Sequence, residues 1–150
     1  MSNQSTPVKP GVVTAARIIL FVVCGLSGVL LVMSLLGIIG AFLHPEGPDA
    51  AFATVGATTG GVLRSFVLGL IAIVLLLVAA LRIGKGGTKN HLVVRLLVGG
   101  GGLVSVLNAV LTGESTAYMG FVLPLIVLML LQSKRSREWF AAMDAPMRNN

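Results

Sequence analysis

Two histidines, a single cysteine, one asparagine deep in an apolar run and a block of four glycines are the residues whose types and spacing could carry chemistry in this 150-residue chain. His44 and His91 would be the metal or haem ligands, but a long apolar run separates them and neither has partners at zinc-ligand spacing. Cys24 is the only cysteine, so an intrachain disulfide is excluded, and its apolar setting suits a small packed side chain. Gly99-Gly100-Gly101-Gly102 would cradle a phosphate if a strand preceded it and a Lys-Ser or Lys-Thr pair followed, and neither condition holds. No nucleophile stands with a base, and no Asp or Glu lies in the middle of an apolar run, where a proton relay would need one. This pattern argues against an enzyme, and no cofactor is expected.

The remaining polar candidates sit near the ends of apolar runs. Asn108 is the most polar residue within one, and it shares a helix face with Thr112. Arg64 and Glu114 fall at a similar depth. Arg64, Asn108 and Glu114 would form a polar cluster pinning two helices. The simpler alternative leaves Arg64 and Glu114 in water and bonds Asn108 across a helix pair.

The elements that must position these residues follow from composition. Hydrophobic residues make up 55% of the chain and charged ones 11%, against about 25% charged in soluble domains. Such a chain cannot cover a surface in water, and lipid is the alternative solvent. The net charge of +6 sits at the ends of apolar runs rather than on one face, as a nucleic-acid binder would need, so no nucleic-acid partner is expected. The basic hinge Arg82-Ile-Gly-Lys-Gly-Gly-Thr-Lys-Asn-His-Leu-Val-Val-Arg95 holds no acid, and cations of this kind stay on the cytoplasmic side.

A span needs roughly 20 apolar residues to cross about 30 Å of hydrocarbon. Four runs qualify, at about 18–43, 62–81, 92–112 and 117–131. The first is too long for a signal-peptide core and has no clean cleavage site, so it reads as an uncleaved span. Residues 50–63 read either as an outer loop or as an early extension of the second helix. Residues 1–11 read as a disordered tail, 12–131 as the membrane domain and 132–150 as a basic amphipathic tail. With Lys9, Arg17, Arg82, Lys85, Lys89, Arg95, Lys134, Arg135, Arg137 and Arg148 inside and only Arg64 outside, both termini are cytoplasmic. The expected fold is an all-α four-helix transmembrane bundle in the plasma membrane, closed by a short interfacial C-terminal helix anchored by Trp139 and Phe140.

In lipid, helices associate where small residues let backbones approach. Ala53, Ala57, Gly61, Ser65 and Gly69 form one row at four-residue spacing, and Gly101, Ser105, Ala109 and Gly113 form another. Each row shares a helix face, and the two are expected at helix contacts, facing each other. Pro124 should bend the last span near Gly120. The closing element Ser133-Lys-Arg-Ser-Arg-Glu-Trp-Phe140, set behind four spans, resembles the ends of small four-span membrane proteins of actinobacterial type. That resemblance implies no activity and assigns no functional residue.

The functional expectation is a non-catalytic membrane protein acting through helix contacts, as an accessory, scaffold or assembly subunit. Its partners would be the bilayer, anionic lipid headgroups near the basic loops, and another membrane protein or itself. The alternative is a small oligomeric transporter or channel component lined by Ser105, Asn108 and Thr112.

Overall fold

The computed structural model describes residues 8–113 and 119–144. Glu114, residues 1–7, the start of the fourth apolar run and residues 145–150 lie outside them. Every regular element among the described residues is helical.

Helix α1, Gly11–Phe42, begins directly after Pro10 and runs for 32 residues. At 1.5 Å per residue that is about 48 Å, longer than the expected span because it starts a full two turns earlier. Residues Pro48–Ala53 form a short helix, α2, with proline at its first position and Asp49 in the first turn, where a carboxylate suits the helix dipole. Gly56 then adopts φ 70 and breaks the chain direction. Helix α3, Thr59–Arg82, starts where the Thr58 hydroxyl accepts from the Gly61 amide at 3.1 Å. Residues 50–63 thus comprise the end of a short helix, a turn and the first residues of α3. A 3-10 turn at Ile83–Lys85 leads into α4, Thr88–Thr112, which Gly113 closes in the left-handed conformation. Helix α5, Met119–Gln132, has 14 residues, and α6, Lys134–Ala142, follows the Ser133 N-cap.

Three of these helices, α1, α3 with its 3-10 turn, and α4, are long and apolar enough to cross a membrane. At 14 residues α5 extends about 21 Å. The helices pack in the order α1–α3–α4–α5, with α5 returning against α1, and the α3–α4 pair is the most extensive contact. The main core lies towards the end where α1 begins. It joins Val13, Ala16, Leu20 and Cys24 of α1 to Leu76, Ala79 and Ala80 of α3, Val94 and Val98 of α4, and Val127 and Leu131 of α5. A smaller cluster at the other end holds Ile38, Ala41 and Phe52.

The small-residue rows do not face each other. A methyl group added to Gly69 would approach Leu31 of α1 at 3.9 Å, whereas one added to Gly101 would sit 3.0 Å from Leu76 and 3.5 Å from the Ala72 carbonyl of α3. Ala53 is exposed and Ala57 precedes α3, so the upper part of the first row is not one helical face. Gly61 lies beside its own cap, Ser65 is half-buried, and Gly113 is an exposed C-terminal cap. Ala109 is fully buried, and the Ser105 hydroxyl donates to the Gly101 carbonyl of its own helix at 3.0 Å. A methyl group added to Gly102, outside the row, would stand 3.3 Å from the Phe121 ring and 3.4 Å from Pro124. The glycine block thus lets α4 approach α3 on one side and α5 on another.

Candidate functional site

The charged residues gather at one end. Lys9 and Arg17 of the first helix lie against the 3-10 turn: a methyl group at Gly84 would be 3.5 Å from Arg17 Nη1 and 3.9 Å from Lys9 Nζ. The Lys9 ammonium also sits 5.7 Å from the centre of the Trp139 ring. Burial, then the nearby Arg17 charge, lowers the Lys9 pKa. Arg82, Lys85, Lys89, Arg95, Lys134, Arg135 and Arg137 belong to the same end through the α4–α6 contact. Arg64 lies at the opposite end and donates to the Leu111 carbonyl at 3.3 Å.

The C-terminal helix docks one face against the bundle: Ser136, Trp139 and Phe140 are buried, while Arg135, Arg137 and Glu138 are exposed. Phe140 is 1% exposed and Trp139 6%, both within the main core. Trp139 and Phe140, expected as membrane-interface anchors, turn their rings to protein within the described residues. Their rings contact each other edge to face at 4.9 Å between centroids. Phe140 also packs on the imidazole of His91 at 4.6 Å. Room for this docking comes from two glycines. A methyl group at Gly86 would lie 2.7 Å from Met143 Cγ, and one at Gly87 2.9 Å from Asp144 Oδ1.

Two orphan helix ends are satisfied here by side chains distant in sequence. The first turn of α4 has no cap of its own, since its N-cap is Gly87. Asp144 supplies one: its carboxylate accepts from the Thr88 amide at 2.7 Å and from the Thr88 hydroxyl. At the end of α5, His91 Nε2 lies 2.9 Å from the Leu131 carbonyl. A carbonyl only accepts, so Nε2 carries the proton in this contact. These residues escape a sequence reading because their partners are remote; the uncapped Gly86-Gly87-Thr88 start is the one local signal.

The Asp144 contact is sensitive to pH. The two hydrogen bonds from Thr88 hold the Asp144 carboxyl below its ordinary pKa, aided by Lys89. A depressed folded value means that the stabilisation is complete above the unfolded pKa of about 3.9 and is lost as pH falls through the lower folded value. The tail is therefore expected to stay docked at neutral pH and to loosen in acid below that range. Hydrogen exchange across residues 134–144 checks this: Asp144→Ala should raise exchange at neutral pH and remove the acid-dependent step. An unchanged step in the variant would assign it elsewhere.

Beside the docked helix lies a groove of about 1100 Å³ between one face of α4 and one face of α6. Lys89 and Arg95 line it from α4, Lys134, Arg137 and Glu138 from α6, and His91 and Phe140 are also in its wall. Lys134 and Glu138 form an exposed pair at 3.9 Å.

The other sequence candidates are not assembled into a site. His44 lies at the far end of α1 from His91, and its Nδ1 accepts from the Glu46 amide at 3.3 Å. Arg64 reaches the backbone of α4 near its end, while the Asn108 side-chain oxygen is buried with no hydrogen-bond partner among the described residues. Thr112 returns its hydroxyl to the Asn108 and Ala109 carbonyls, at 3.0 and 3.2 Å. Glu114 lies outside the described residues. Among those residues no three His, Cys, Asp or Glu side chains are placed to hold a metal ion. No family model, curated protein or solved structure matches the chain.

Proposed function

We infer that this is a non-catalytic membrane protein that works through contacts between helices, as an accessory or assembly subunit or by self-association. The observation that carries the reading is the bare outer half of α1. From Gly25 to Gly37 this helix has no buried residue, and Leu26, Val29, Leu30, Met33 and Leu36 are all more than half exposed. Leucine and valine alone would simply face acyl chains. The same stretch and its continuation hold Gly25, Gly28, Gly37 and Gly40, and no atom outside the local helix backbone lies within 4 Å of where a side chain would be. These glycines contribute nothing to packing within the chain. In lipid, where burying leucine gains little, such notches are what allow a second helix to approach.

The reading includes four spans in the plasma membrane, with α5 completing the fourth and both termini cytoplasmic. Nine of the eleven Lys and Arg residues at one end of the bundle support that orientation. The transporter alternative has less support. Ser105 and Thr112 spend their hydroxyls on their own helix rather than on a shared path.

The test is oxidative cross-linking in intact membranes of Val32→Cys, an exposed position on the same face as Gly25 and Gly28, in a Cys24→Ser background. A homodimer or a discrete adduct is expected, and adding Gly25→Leu and Gly28→Leu should abolish it. Strictly monomeric protein in mild detergent, with no adduct and no co-purifying partner, would overturn the proposal.

A further inference from the structure

We propose that the groove between α4 and α6 is a binding site for one anionic phospholipid, whose phosphate is held by Arg95 and Arg137. This rests on the membrane reading above and adds a ligand to it.

The charges within the groove are unequal in their partners. Glu138 faces Lys134, and Asp144 is close enough to Lys89 to feel its charge. Among the described residues Arg95 and Arg137 are in no ion pair, although both line the same groove from different helices. Arg95 and Arg137 thus stand unpaired in the wall of one groove whose acid, Glu138, is turned to Lys134, and a guanidinium suits a phosphate because it presents a planar fork of donors to the oxygens. The Asp144 carboxylate already occupies the start of α4, so the anion is directed to the arginines rather than to the helix end.

What selects a lipid over a free anion is the surface leading away from the groove. Leu92 lines it and is 57% exposed; Leu96 follows one turn on at 67% and Leu103 at 68%. At 100° per residue these three lie on one stripe of α4, with Gly99 between them. A side chain at Gly99 would meet nothing within 4 Å. The stripe is therefore a leucine track with a notch in it, starting at the cationic groove and running towards the hydrocarbon. A headgroup seated on Arg95 and Arg137 would lay an acyl chain along it. Basic pockets between membrane helices at the cytoplasmic side are suited to such headgroups.

The full-length protein is reconstituted in bilayer discs of phosphatidylcholine with a minor fraction of phosphatidylglycerol, then released gently for native mass spectrometry. The wild type is expected to retain phosphatidylglycerol about tenfold over its share of the bilayer, the scale of one charge-assisted contact. Arg95→Gln with Arg137→Gln should remove that enrichment, while Lys85→Gln with Arg135→Gln, outside the groove, should keep it. If the arginine variant does not fold, Lys89→Gln with Lys134→Gln, whose lysine heads are at the groove rim, should weaken retention severalfold. Enrichment lost equally in the Lys85/Arg135 variant would mean diffuse surface attraction and would overturn the site. So would retention no higher than for phosphatidylcholine. Displacement of the lipid by millimolar inorganic phosphate in the same preparation would make free phosphate the ligand and refute the lipid assignment. A chain that stayed in solution without detergent would instead sink the membrane reading itself, so the two failures are separable.

Discussion

Replacing Phe140 by alanine is expected to destabilise the protein by about 3–5 kcal/mol, the range for emptying a fully buried aromatic site. The ring is 1% exposed, stacks on His91 and meets the Trp139 ring edge on. Its loss opens a cavity in the main core, which Phe140 shares with Val13, Val94 and Leu131. It also leaves the His91 imidazole unsupported while that ring still caps the end of α5. Thermal unfolding in mild detergent, followed by Trp139 fluorescence, measures the effect. Arg135→Ala, on the exposed side of the same helix, should change little. The experiment separates two roles that the sequence leaves alike. A membrane-surface anchor would lose partition into the bilayer when Phe140 is truncated, with the bundle melting as before. A docked wedge loses stability, and the tail becomes protease-sensitive.

That ambiguity shows where sequence reading stops. Trp139, Phe140 and Met143 repeat at helical spacing beside Lys134, Arg135 and Arg137, and the pattern fits a lipid boundary as well as a protein groove. The burial of both rings shows the protein groove to be filled, and Gly86 and Gly87 make room there for Met143 and Asp144. Asp144 capping Thr88 is a contact across 56 residues, and no local periodicity encodes it. What is legible is whatever depends on length and charge. The apolar runs locate the long helices, and the uneven charge is apparent too, with Arg64 apart from the other described cations. Helix α1 starts at Gly11 rather than near residue 18 because a cation does not end a helix: Arg17 lies within its second turn, with the side chain over the Phe21 ring at 5.5 Å.

The small-residue rows give the same lesson in a different form. Four-residue spacing states which side chains share a face, and it does not state which helix that face meets. Gly69 and Gly101 both lie at helix contacts, but Gly69 looks towards α1 and Gly101 towards α3. The four glycines of the block are alike in sequence, yet their surroundings differ.

Those surroundings lead to the second large effect. Gly101→Leu should cost about 1–3 kcal/mol or more through overpacking, because even the first added carbon would stand 3.0 Å from Leu76 and 3.5 Å from the Ala72 carbonyl. Leu76 can yield by a few tenths of an ångström, so Gly101→Ala should be mild. The longer side chain must push α4 off α3, across the most extensive contact of the fold. Gly99→Ala, two residues away and open on that side, should leave stability unchanged or raise it slightly through helix propensity, worth up to about 1 kcal/mol in water. Gly102→Ala belongs between them, since its added methyl would press on Phe121 at 3.3 Å. The order Gly99, Gly102, Gly101→Leu in melting temperature checks the packing directly. If Gly99→Ala and Gly101→Leu melted together, α4 would not approach α3 as closely as a bare backbone allows, and the block would act as a flexible joint instead. A joint would respond to every loss of glycine alike, whereas a contact responds only on the sides where another helix stands.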